Sequence, residues 1–186
     1  RQPAVRNLVL RTVLRAYPQI DMHEALQPDP FTYESFNAFF TRELRPGARP
    51  IATDAHALVS PVDGTVSQLG RTTAGALLQA KGMPYALTDL FGPSQDSTAF
   101  EGGRYVTLRL TSAMYHRFHA PHDCTVEHVT YISGDTWNVN PIALARVERL
   151  FCRNERALLR ARLNTGQVIA LVPVADLREL HQPLGV

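Results

Sequence analysis

The sequence is poor in lysine, cysteine and tryptophan, and its charges nearly cancel. Its 19 basic and 17 acidic residues leave a net charge of +2, which is too small to predict nucleic-acid binding. Lys81 is the only lysine, so every other basic side chain is arginine. The composition therefore predicts no nucleic-acid partner, and its single lysine gives no indication of a pyridoxal site.

Cysteine and long apolar runs are also scarce. The two cysteines, Cys124 and Cys152, lack CxxC or other ligand-like spacing, which favours free thiols in a reducing compartment over a disulfide. No apolar run approaches the roughly 18 residues that a transmembrane helix needs. The sequence begins at an arginine and not at a methionine, so a targeting or anchoring segment before Arg1 stays open.

What the sequence does contain is an ordinary globular composition. Apolar residues make up 45% of its 186 residues and charged residues 19%. Such a chain is long enough for one well-buried core, or for one domain preceded by helices. This composition excludes a disordered protein.

The first segment has helical periodicity. The apolar side chains between Ala4 and Tyr17 recur at helical spacing, and Arg6, Arg11 and Arg15 share the remaining surface. Two interpretations stay open. The segment is either a surface helix with a solvated basic face or a basic amphipathic helix that lies on an anionic membrane. In the second case each cation near the surface contributes about 1 kcal/mol.

Two short helices are predicted next. Asp21 and Glu24 have the spacing of a capping box in the segment DMHEAL. A second helix is expected to start near Thr32 and to carry three phenylalanines inward: Phe36, Phe39 and Phe40. It ends before RPGARP (residues 45–50), a segment that is typical of a linker.

After Pro50 the pattern changes to short strands separated by Gly, Pro or Asn. The predicted strands lie in GTVSQLG, ALLQAKG, RYVTLRL, CTVEHVTYI, RALLRARL and QVIALVPVA. The last two, joined by NTG, predict a β-hairpin in which Gly166 supplies a positive φ. The predicted fold class is therefore α+β, with N-terminal helices over residues 1–45 and a mostly antiparallel β domain over residues 46–186.

Three histidines recur at every third position in MYHRFHAPHDC: His116, His119 and His122. A zinc site would need the imidazoles to point at one ion, but Pro121 interrupts a helix that would bring them together. No HExxH pattern supplies other ligands, so we predict no metal. His116 and His119 directly follow a predicted strand. They are candidates for acid–base catalysis or, alternatively, for simple hydrogen bonds to backbone carbonyls.

A carboxylate on a rigid turn is the second candidate for catalysis. Asp63 lies in SPVDG (residues 60–64), and most Asp-Gly pairs form nothing more than a turn. A carboxylate held in this way can also orient an imidazole and stabilise its protonated form. An aspartate and a histidine need only a nucleophile to complete a catalytic relay. The spacing alone does not show that they meet.

Several segments together resemble one protein family. In order along the chain they are FNAFFTRELRPGARPI, SPVDGTVSQLG, LLQAKGMPYAL, YHRFHAP, YISGDTWNVNP and LFCRNERALL. From about Asp21 to Val174 the sequence closely resembles the bacterial phosphatidylserine decarboxylase proenzymes. Separate motifs in the same order make this resemblance far more specific than the histidines alone.

The resemblance implies a self-cleaving precursor. Members of this family cut themselves at a serine in a Leu-Gly-Ser-Thr segment near the C-terminus, and the new N-terminus becomes a covalent pyruvoyl group. By resemblance, Asp63 and His119 activate that serine, and His122 has no role. His116 is associated with decarboxylation and is the candidate acid that returns a proton to the α-carbon. The implied reaction converts phosphatidylserine to phosphatidylethanolamine and carbon dioxide, with the pyruvoyl ketone as electron sink.

The resemblance also implies partners and a location. The expected partners are phosphatidylserine, an anionic membrane surface and the α-chain, which is the C-terminal segment of the same proenzyme. A homodimer is a further expectation. The expected location is the cytoplasmic face of the cell membrane, with the protein peripheral or anchored by a segment before Arg1.

The sequence departs from the family pattern at its end. After Val174 it reads ADLRELHQPLGV, in which Leu184-Gly185 is followed by Val186 and not by Ser-Thr. The β domain is therefore expected to be incomplete at its C-terminus, with the pyruvoyl serine outside these residues and the chain inactive alone. Two alternatives stay open: a non-catalytic relative that binds lipid or a partner, and a His-dependent hydrolase or metal protein.

Overall fold

The computed structural model describes residues 2–78, 84–92 and 96–174, which fall into two units. Among the described residues, the first unit contains 2–65 and 109–122, and the second contains 66–108 and 123–174. The histidine run therefore belongs to the same unit as the N-terminal helices. The predicted domain boundary after residue 45 stays a prediction.

Helices dominate the first unit. Its first helix confirms the one predicted between Ala4 and Tyr17. The helical elements of this unit are α1 at Pro3–Ala16, single 3₁₀ turns at Met22–Glu24 and Pro30–Thr32, and α2 at Phe36–Phe40.

The start of α2 differs from the prediction. The helix begins at Phe36 and not near Thr32, where the chain makes a 3₁₀ turn instead. The Ser35 side-chain oxygen accepts a hydrogen bond of 3.0 Å from the Ala38 N–H. This bond satisfies a backbone donor that has no partner within the helix, so it fixes the start of the helix at this position.

The capping box predicted at Asp21 and Glu24 forms only in part. Asp21 accepts a hydrogen bond of 2.8 Å from the His23 N–H and so caps a 3₁₀ turn. Glu24 instead directs its carboxylate to Arg49, at 2.8 Å. The pattern located a helical turn correctly, but a long-range ion pair determines where Glu24 points.

The core of the first unit forms between α1 and α2. Of the three phenylalanines predicted to point inward, Phe39 is fully buried and Phe40 is half-buried, but Phe36 is exposed. Phe36 is the first residue of the helix and lies on the same face as the other two, and its ring contacts those of Phe39 and Phe40, but its own side chain stays 38% exposed at this end of the helix. The buried cluster consists of Leu10, Ile20, Tyr33, Phe39 and Ala113.

Strands dominate the second unit, and its described residues form three small sheets. β1 pairs with β4, β2 pairs with β3, and the largest sheet has the order β5-β6-β7. The pairs β2–β3, β5–β6 and β6–β7 are antiparallel, so the predicted α+β class is confirmed. The strands are β1 Thr65–Arg71, β2 Ala76–Leu78, β3 Pro84–Ala86, β4 Arg104–Arg109, β5 Cys124–Ile132, β6 Arg156–Leu163 and β7 Val168–Leu171.

The hairpin predicted around Gly166 is confirmed. β6 and β7 pair in register from Leu159 opposite Leu171 to Arg162 opposite Val168. Gly166 has a φ of +88°, in the left-handed region that glycine adopts without a steric penalty. β6 is the central strand of its sheet and is almost wholly buried, as expected for a strand that packs on both sides.

The sequence did not predict one strand and three short helices of this unit. They are β3, α3 at Leu87–Phe91, α4 at Pro141–Arg146 and α5 at Leu150–Arg153. Helices of one or two turns are too short to show a periodic apolar pattern. The second half of the predicted strand ALLQAKG lies outside the described residues.

Gly134 provides a prediction about stability. A Cβ at this position would lie 2.4 Å from the Arg153 carbonyl oxygen and 2.6 Å from the Asn154 carbonyl carbon, both backbone atoms. We expect Gly134→Ala to destabilise the protein by about 1–3 kcal/mol because the opposing backbone must move. Thermal unfolding followed by circular dichroism would measure this loss. Ser133→Ala is the matched control, and an unchanged Tm in Gly134→Ala would contradict the close approach.

Two observations concern the thiols and the membrane. Cys124 and Cys152 are both free and half-buried, which agrees with the predicted free thiols, whereas the reducing compartment stays a prediction. In the described part of the chain, every helix is too short or too polar to cross a membrane.

Candidate active site

The segment Thr111–His122, called the histidine loop below, follows β4 and contains neither helix nor strand. Two backbone hydrogen bonds join this loop to the SPVDG turn and the residue before it. The His119 N–H donates to the Pro61 carbonyl at 2.7 Å, and the Val59 N–H donates to the Pro121 carbonyl at 2.9 Å. The predicted histidines and the predicted carboxylate turn are therefore neighbours in the first unit.

His119 is exposed and pairs with a buried tyrosine. Its Nε2 atom lies 2.9 Å from the Tyr115 hydroxyl, and the two rings stack with centroids 5.6 Å apart. Burial raises the pKa of Tyr115, so the phenol stays protonated at neutral pH. One hydroxyl and one ring nitrogen share this contact, so the tautomer of His119 is coupled to the direction of the Tyr115 O–H.

His116 lies deeper in the same loop. Its ring stacks on Phe40 of α2, with centroids 3.8 Å apart, and its Nε2–H donates to the Thr111 carbonyl at 3.1 Å. Burial lowers the pKa of His116, and the nearby charge of Arg42 lowers it further, against the opposing effect of the Thr111 bond. The imidazole is therefore mostly neutral at pH 7, with its proton on Nε2 and a lone pair on Nδ1.

Asp63 is held by an arginine that the sequence did not single out. Arg49 donates from Nε to both carboxylate oxygens at 3.0 Å and from Nη2 to Oδ2 at 2.7 Å. The same Nη2 atom lies 2.8 Å from Glu24. These bonds, first to Asp63 and then to Glu24, raise the pKa of Arg49. The fork-like contact orients the Asp63 carboxylate in one plane.

This ion-pair network orients the carboxylate more than it stabilises the fold. The side chains of Arg49 and Glu24 are more than one-third exposed, and that of Asp63 is 28% exposed. Exposed ion pairs contribute only about 0–1 kcal/mol to stability. Arg49 lies in RPGARP, so the segment that the sequence predicted to be a linker contributes a residue to the site.

A cavity of about 290 Å³ adjoins these residues. Asp63 and Arg49 lie on its wall, and so do Tyr115 and Thr111, the partners of His119 and His116. A cavity of this size accommodates a small polar group beside both loops. The lining residues are Gln19, Asp21, Glu24, Arg42, Arg49, Asp63, Thr111, Ala113, Met114 and Tyr115.

The remaining side chains of the histidine loop fix its position. Arg117 donates from Nε to the Thr41 carbonyl at 2.6 Å and pairs with Glu43 at 3.0 Å. The His122 Nε2–H donates to the Ala55 carbonyl at 2.9 Å. This bond joins His122 to Ala55, whereas His116 bonds to Thr111 and His119 to Tyr115.

Sequence reasoning missed three members of the site. Tyr115 had a weak signal, because it stands four residues before His119 in a histidine-rich segment. Arg49 and Glu24 had none, because Asp63 lies 14 residues after Arg49 in the sequence, and Glu24, which pairs with Arg49, lies 25 residues before it. Within the described ranges, no group of three or more His, Cys, Asp or Glu residues is placed to hold a metal ion.

Comparison with known proteins assigns the chain to a family. The family model described as phosphatidylserine decarboxylase matches residues 36–178. The chain belongs to the phosphatidylserine decarboxylase family. The matched region includes α2, the SPVDG turn and the histidine loop, whereas α1 and Glu24 precede it.

Curated relatives support the same assignment. The phosphatidylserine decarboxylase proenzyme of Pseudoalteromonas translucida is 46% identical over 151 residues, which cover 81% of this chain and 52% of the relative. That of Shewanella baltica (strain OS155) is 44% identical over 156 residues, covering 83% and 53%. That of Shewanella sp. (strain W3-18-1) is 48% identical over 141 residues, covering 75% and 49%. The chain thus spans about half the length of these relatives.

Proposed function

We propose that this chain is the β-chain part of a phosphatidylserine decarboxylase proenzyme, which converts phosphatidylserine to phosphatidylethanolamine and carbon dioxide. The proposal rests on the backbone hydrogen bonds that join the histidine loop to the SPVDG turn and the residue before it. The loop of His119 is hydrogen-bonded through its backbone to the turn of Asp63, and Asp63 faces a cavity that Tyr115 also lines. An aspartate, an imidazole and an adjoining space are the parts that activation of a serine requires.

The serine that becomes the pyruvoyl group is proposed to lie outside these residues. The sequence contains no Leu-Gly-Ser-Thr segment, so we place the pyruvoyl serine in a separate part of the proenzyme. When present, the pyruvoyl ketone supplies an electron sink for the loss of carbon dioxide. The residues at the site fit such a group because most side chains that line the cavity of about 290 Å³ beside Asp63 are polar. Thr111 and Tyr115, the hydrogen-bond partners of His116 and His119, also line it.

His119 is the proposed base for self-cleavage. A serine hydroxyl must lose its proton as it attacks a carbonyl, and a neutral imidazole can accept that proton. When His119 donates its Nε2–H to the Tyr115 oxygen, Nδ1 is left with the lone pair for this task. The negative charge of Asp63 on the adjoining turn stabilises the imidazolium that results, and Arg49 holds that carboxylate in place.

His116 is the proposed acid in decarboxylation. Its Nε2–H is bound to the Thr111 carbonyl, so Nδ1 is the atom that can take up a proton and deliver it. Stacking on Phe40 and burial fix the ring, so the imidazole does not need to reorganise when a proton moves. His119 and His116 thus differ in exposure and partners, and this difference supports a division of labour between them.

α1 is proposed to lie on an anionic membrane at the cytoplasmic face. Its side chains Val5, Leu8 and Val9 are exposed, with Leu8 at 66%, although Leu10 is buried. Arg11 and Arg15 are exposed on the same helix. Apolar side chains that point to solvent beside arginines are typical of a helix at the interface of a bilayer.

We expect the protein to bind vesicles that contain anionic lipid and to be released as the salt concentration rises. Screening shortens the Debye length to about 8 Å near physiological ionic strength, which weakens the attraction of the arginines. Replacing Leu8 with glutamate should weaken binding about tenfold or more, since it removes apolar burial and adds repulsion. Co-sedimentation with vesicles would measure both effects.

The matched control is Leu58→Glu, because Leu58 is also exposed but lies outside α1. This variant should bind as the wild type does. Binding that is indifferent to lipid charge and to salt would contradict the electrostatic part of the proposal.

The proposed protein partner is the rest of the same proenzyme. The second unit exposes apolar side chains along β1 and β4, which form one sheet, and along β5, which belongs to another, and we propose that these side chains contact a partner. The matched part covers only about half of each curated relative, so the remaining length of the proenzyme is the proposed cover for these side chains. The exposed side chains are Val66, Leu69, Val106, Val126, Val129 and Tyr131.

Release of carbon dioxide tests the proposed function. The chain would be fused to the C-terminal segment of a curated relative and supplied with carboxyl-labelled phosphatidylserine. The fusion is expected to release labelled carbon dioxide, and the 186 residues alone are not, because they contain no source of the ketone. A fusion that folds and binds phosphatidylserine vesicles but releases no carbon dioxide would favour the non-catalytic alternative.

A further inference from the structure

Arg42 is a buried cation with an unmet hydrogen bond. It follows α2 directly and is 5% exposed, yet its Nε–H has no hydrogen-bond partner in the part of the chain that the structure describes. Its guanidinium lies over the Phe39 ring, 5.5 Å from the centroid, which compensates the buried charge only in part. Burial lowers the pKa of Arg42, as expected for a charge that has lost its water.

The same protein contains a buried arginine whose donors are satisfied. Arg156 is 4% exposed, and its guanidinium donates to the carbonyls at the ends of α3 and α5. These acceptors lie at 2.7–3.0 Å and belong to Asp89, Leu90, Cys152 and Asn154. Each guanidinium nitrogen of Arg156 thus donates to at least one backbone oxygen, whereas the Arg42 Nε–H has no partner among the described residues. An unsatisfied buried donor destabilises the folded protein, and a bound oxygen atom would remove this cost.

Arg42 lines the cavity of about 290 Å³, where the other charged groups are already engaged. Glu24 and Asp63 are both bound by Arg49. Asp21 accepts a hydrogen bond from the His23 backbone and is exposed to solvent. Arg42 is thus the cation of this cavity whose charge no adjacent carboxylate neutralises through a hydrogen bond within the described residues.

We propose that Arg42 binds a phosphate oxygen of the phospholipid headgroup in this cavity. The inference rests on the proposed function, which supplies a substrate that has a phosphodiester. Guanidinium groups suit phosphate because their donors lie in one plane and the charge is permanent.

The phosphodiester is a better partner for Arg42 than the carboxylate of the same headgroup. Decarboxylation turns the carboxylate into neutral carbon dioxide, so an arginine on that group would stabilise the substrate more than the transition state. The phosphodiester keeps its charge throughout the reaction. Binding it stabilises the ground state and the transition state equally and does not raise the barrier.

Titration of the 186-residue protein with soluble headgroups tests the proposal. The probes are glycerophosphoserine, glycerophosphoethanolamine, free serine and inorganic phosphate. Nuclear magnetic resonance would follow the Nε–H signals of the labelled arginines, and Arg42→Lys would assign the signal of Arg42. Both glycerophosphodiesters should shift this signal with similar affinity, and serine should not.

Substitution provides the second readout. Arg42→Gln should weaken binding of glycerophosphoethanolamine about tenfold or more, which is the expected loss of one charge-assisted hydrogen bond. The matched control, Arg45→Gln, removes the same charge from an exposed position three residues away and should bind like the wild type. If Arg42→Gln does not fold, the titration of the wild type decides.

Three outcomes would overturn the proposal. They are an Arg42 signal that none of the probes moves, a shift with serine but not with glycerophosphoethanolamine, and tighter binding of inorganic phosphate than of either diester. The last would indicate a general phosphate site and not a lipid headgroup site. Failure of the proposed function is separate, because release of carbon dioxide by the fusion tests it whether or not Arg42 contacts phosphate.

Discussion

Replacing His119 with alanine, or Asp63 with asparagine, should leave the complete proenzyme uncut. Both side chains are proposed to act before the pyruvoyl group exists, because the serine needs a base to remove its proton and a carboxylate to stabilise the imidazolium. Removal of a general base typically costs about 10²–10⁴ in rate, so cleavage should slow from a rapid step to one that is barely detectable. Denaturing gel electrophoresis of the fusion protein over time would measure the rate.

His122→Ala is the matched control, since His122 belongs to the same loop but bonds to the Ala55 carbonyl. This variant should be cut at nearly the wild-type rate. Thermal unfolding should show that His119→Ala is folded, because the His119 side chain is exposed. Normal cutting in folded His119→Ala would remove His119 from the relay.

His116→Gln should separate the two reactions. Glutamine can still donate a hydrogen bond to the Thr111 carbonyl, but it cannot carry a proton to the substrate. We therefore expect the variant to be cut at least in part, while the kcat for decarboxylation falls by about 10²–10⁴. Measurement of cleavage and of carbon dioxide release on the same sample would show the difference. If this variant blocked cutting as completely as His119→Ala, the proposed division of labour would be wrong.

The pH dependence of decarboxylation provides a further check on His116. Burial lowers the pKa of this imidazole below its ordinary value, so only a small fraction is protonated at pH 7. If His116 acts as the acid, kcat should rise as the pH falls from neutral toward that lowered pKa. The profile of His116→Gln should lack this rise. A wild-type kcat that falls on acidification in the same range would contradict an acid role.

The sequence predicted the elements that depend on local patterns. α1 was evident because its apolar residues recur over several turns, and the β6–β7 hairpin was evident from Gly166 between two alternating segments. The start of α2 was misplaced because Ser35, a local cap, outweighed the weak helical pattern after Thr32. Phe36 shares a helical face with Phe39 and Phe40, but as the first residue of the helix it lies at the edge of the core and stays exposed.

The candidate site was predicted in its parts but not in its connections. Asp63, His116 and His119 were identified from turn chemistry, histidine spacing and family resemblance. Their immediate partners come from distant segments: Arg49 reaches Asp63 from an apparent linker, and Phe40 stacks on His116 from α2. Such contacts depend on how segments pack, which periodicity and spacing do not encode.

The unmet donor of Arg42 was likewise invisible in the sequence. Arginine is abundant in this chain, and nothing in the segment FFTREL distinguishes a buried guanidinium from a solvated one. The proposal for Arg42 rests on its burial and on an Nε–H that has no partner among the described residues, neither of which the sequence shows. The sequence also does not show that Arg156 is hydrogen-bonded, because its acceptors are backbone carbonyls.

The intact mass of the fusion protein, before and after borohydride treatment, tests most directly whether this chain carries the relay that generates the pyruvoyl group. The expected result is two chains. The one that begins at the former serine should be lighter by the loss of ammonia and should gain two hydrogen atoms on reduction, because its ketone becomes an alcohol. A folded fusion that remains one uncut chain would contradict the relay. So would a reducible carbonyl formed in the 186 residues alone, since it would mean that the electron sink arises from a residue other than the proposed serine.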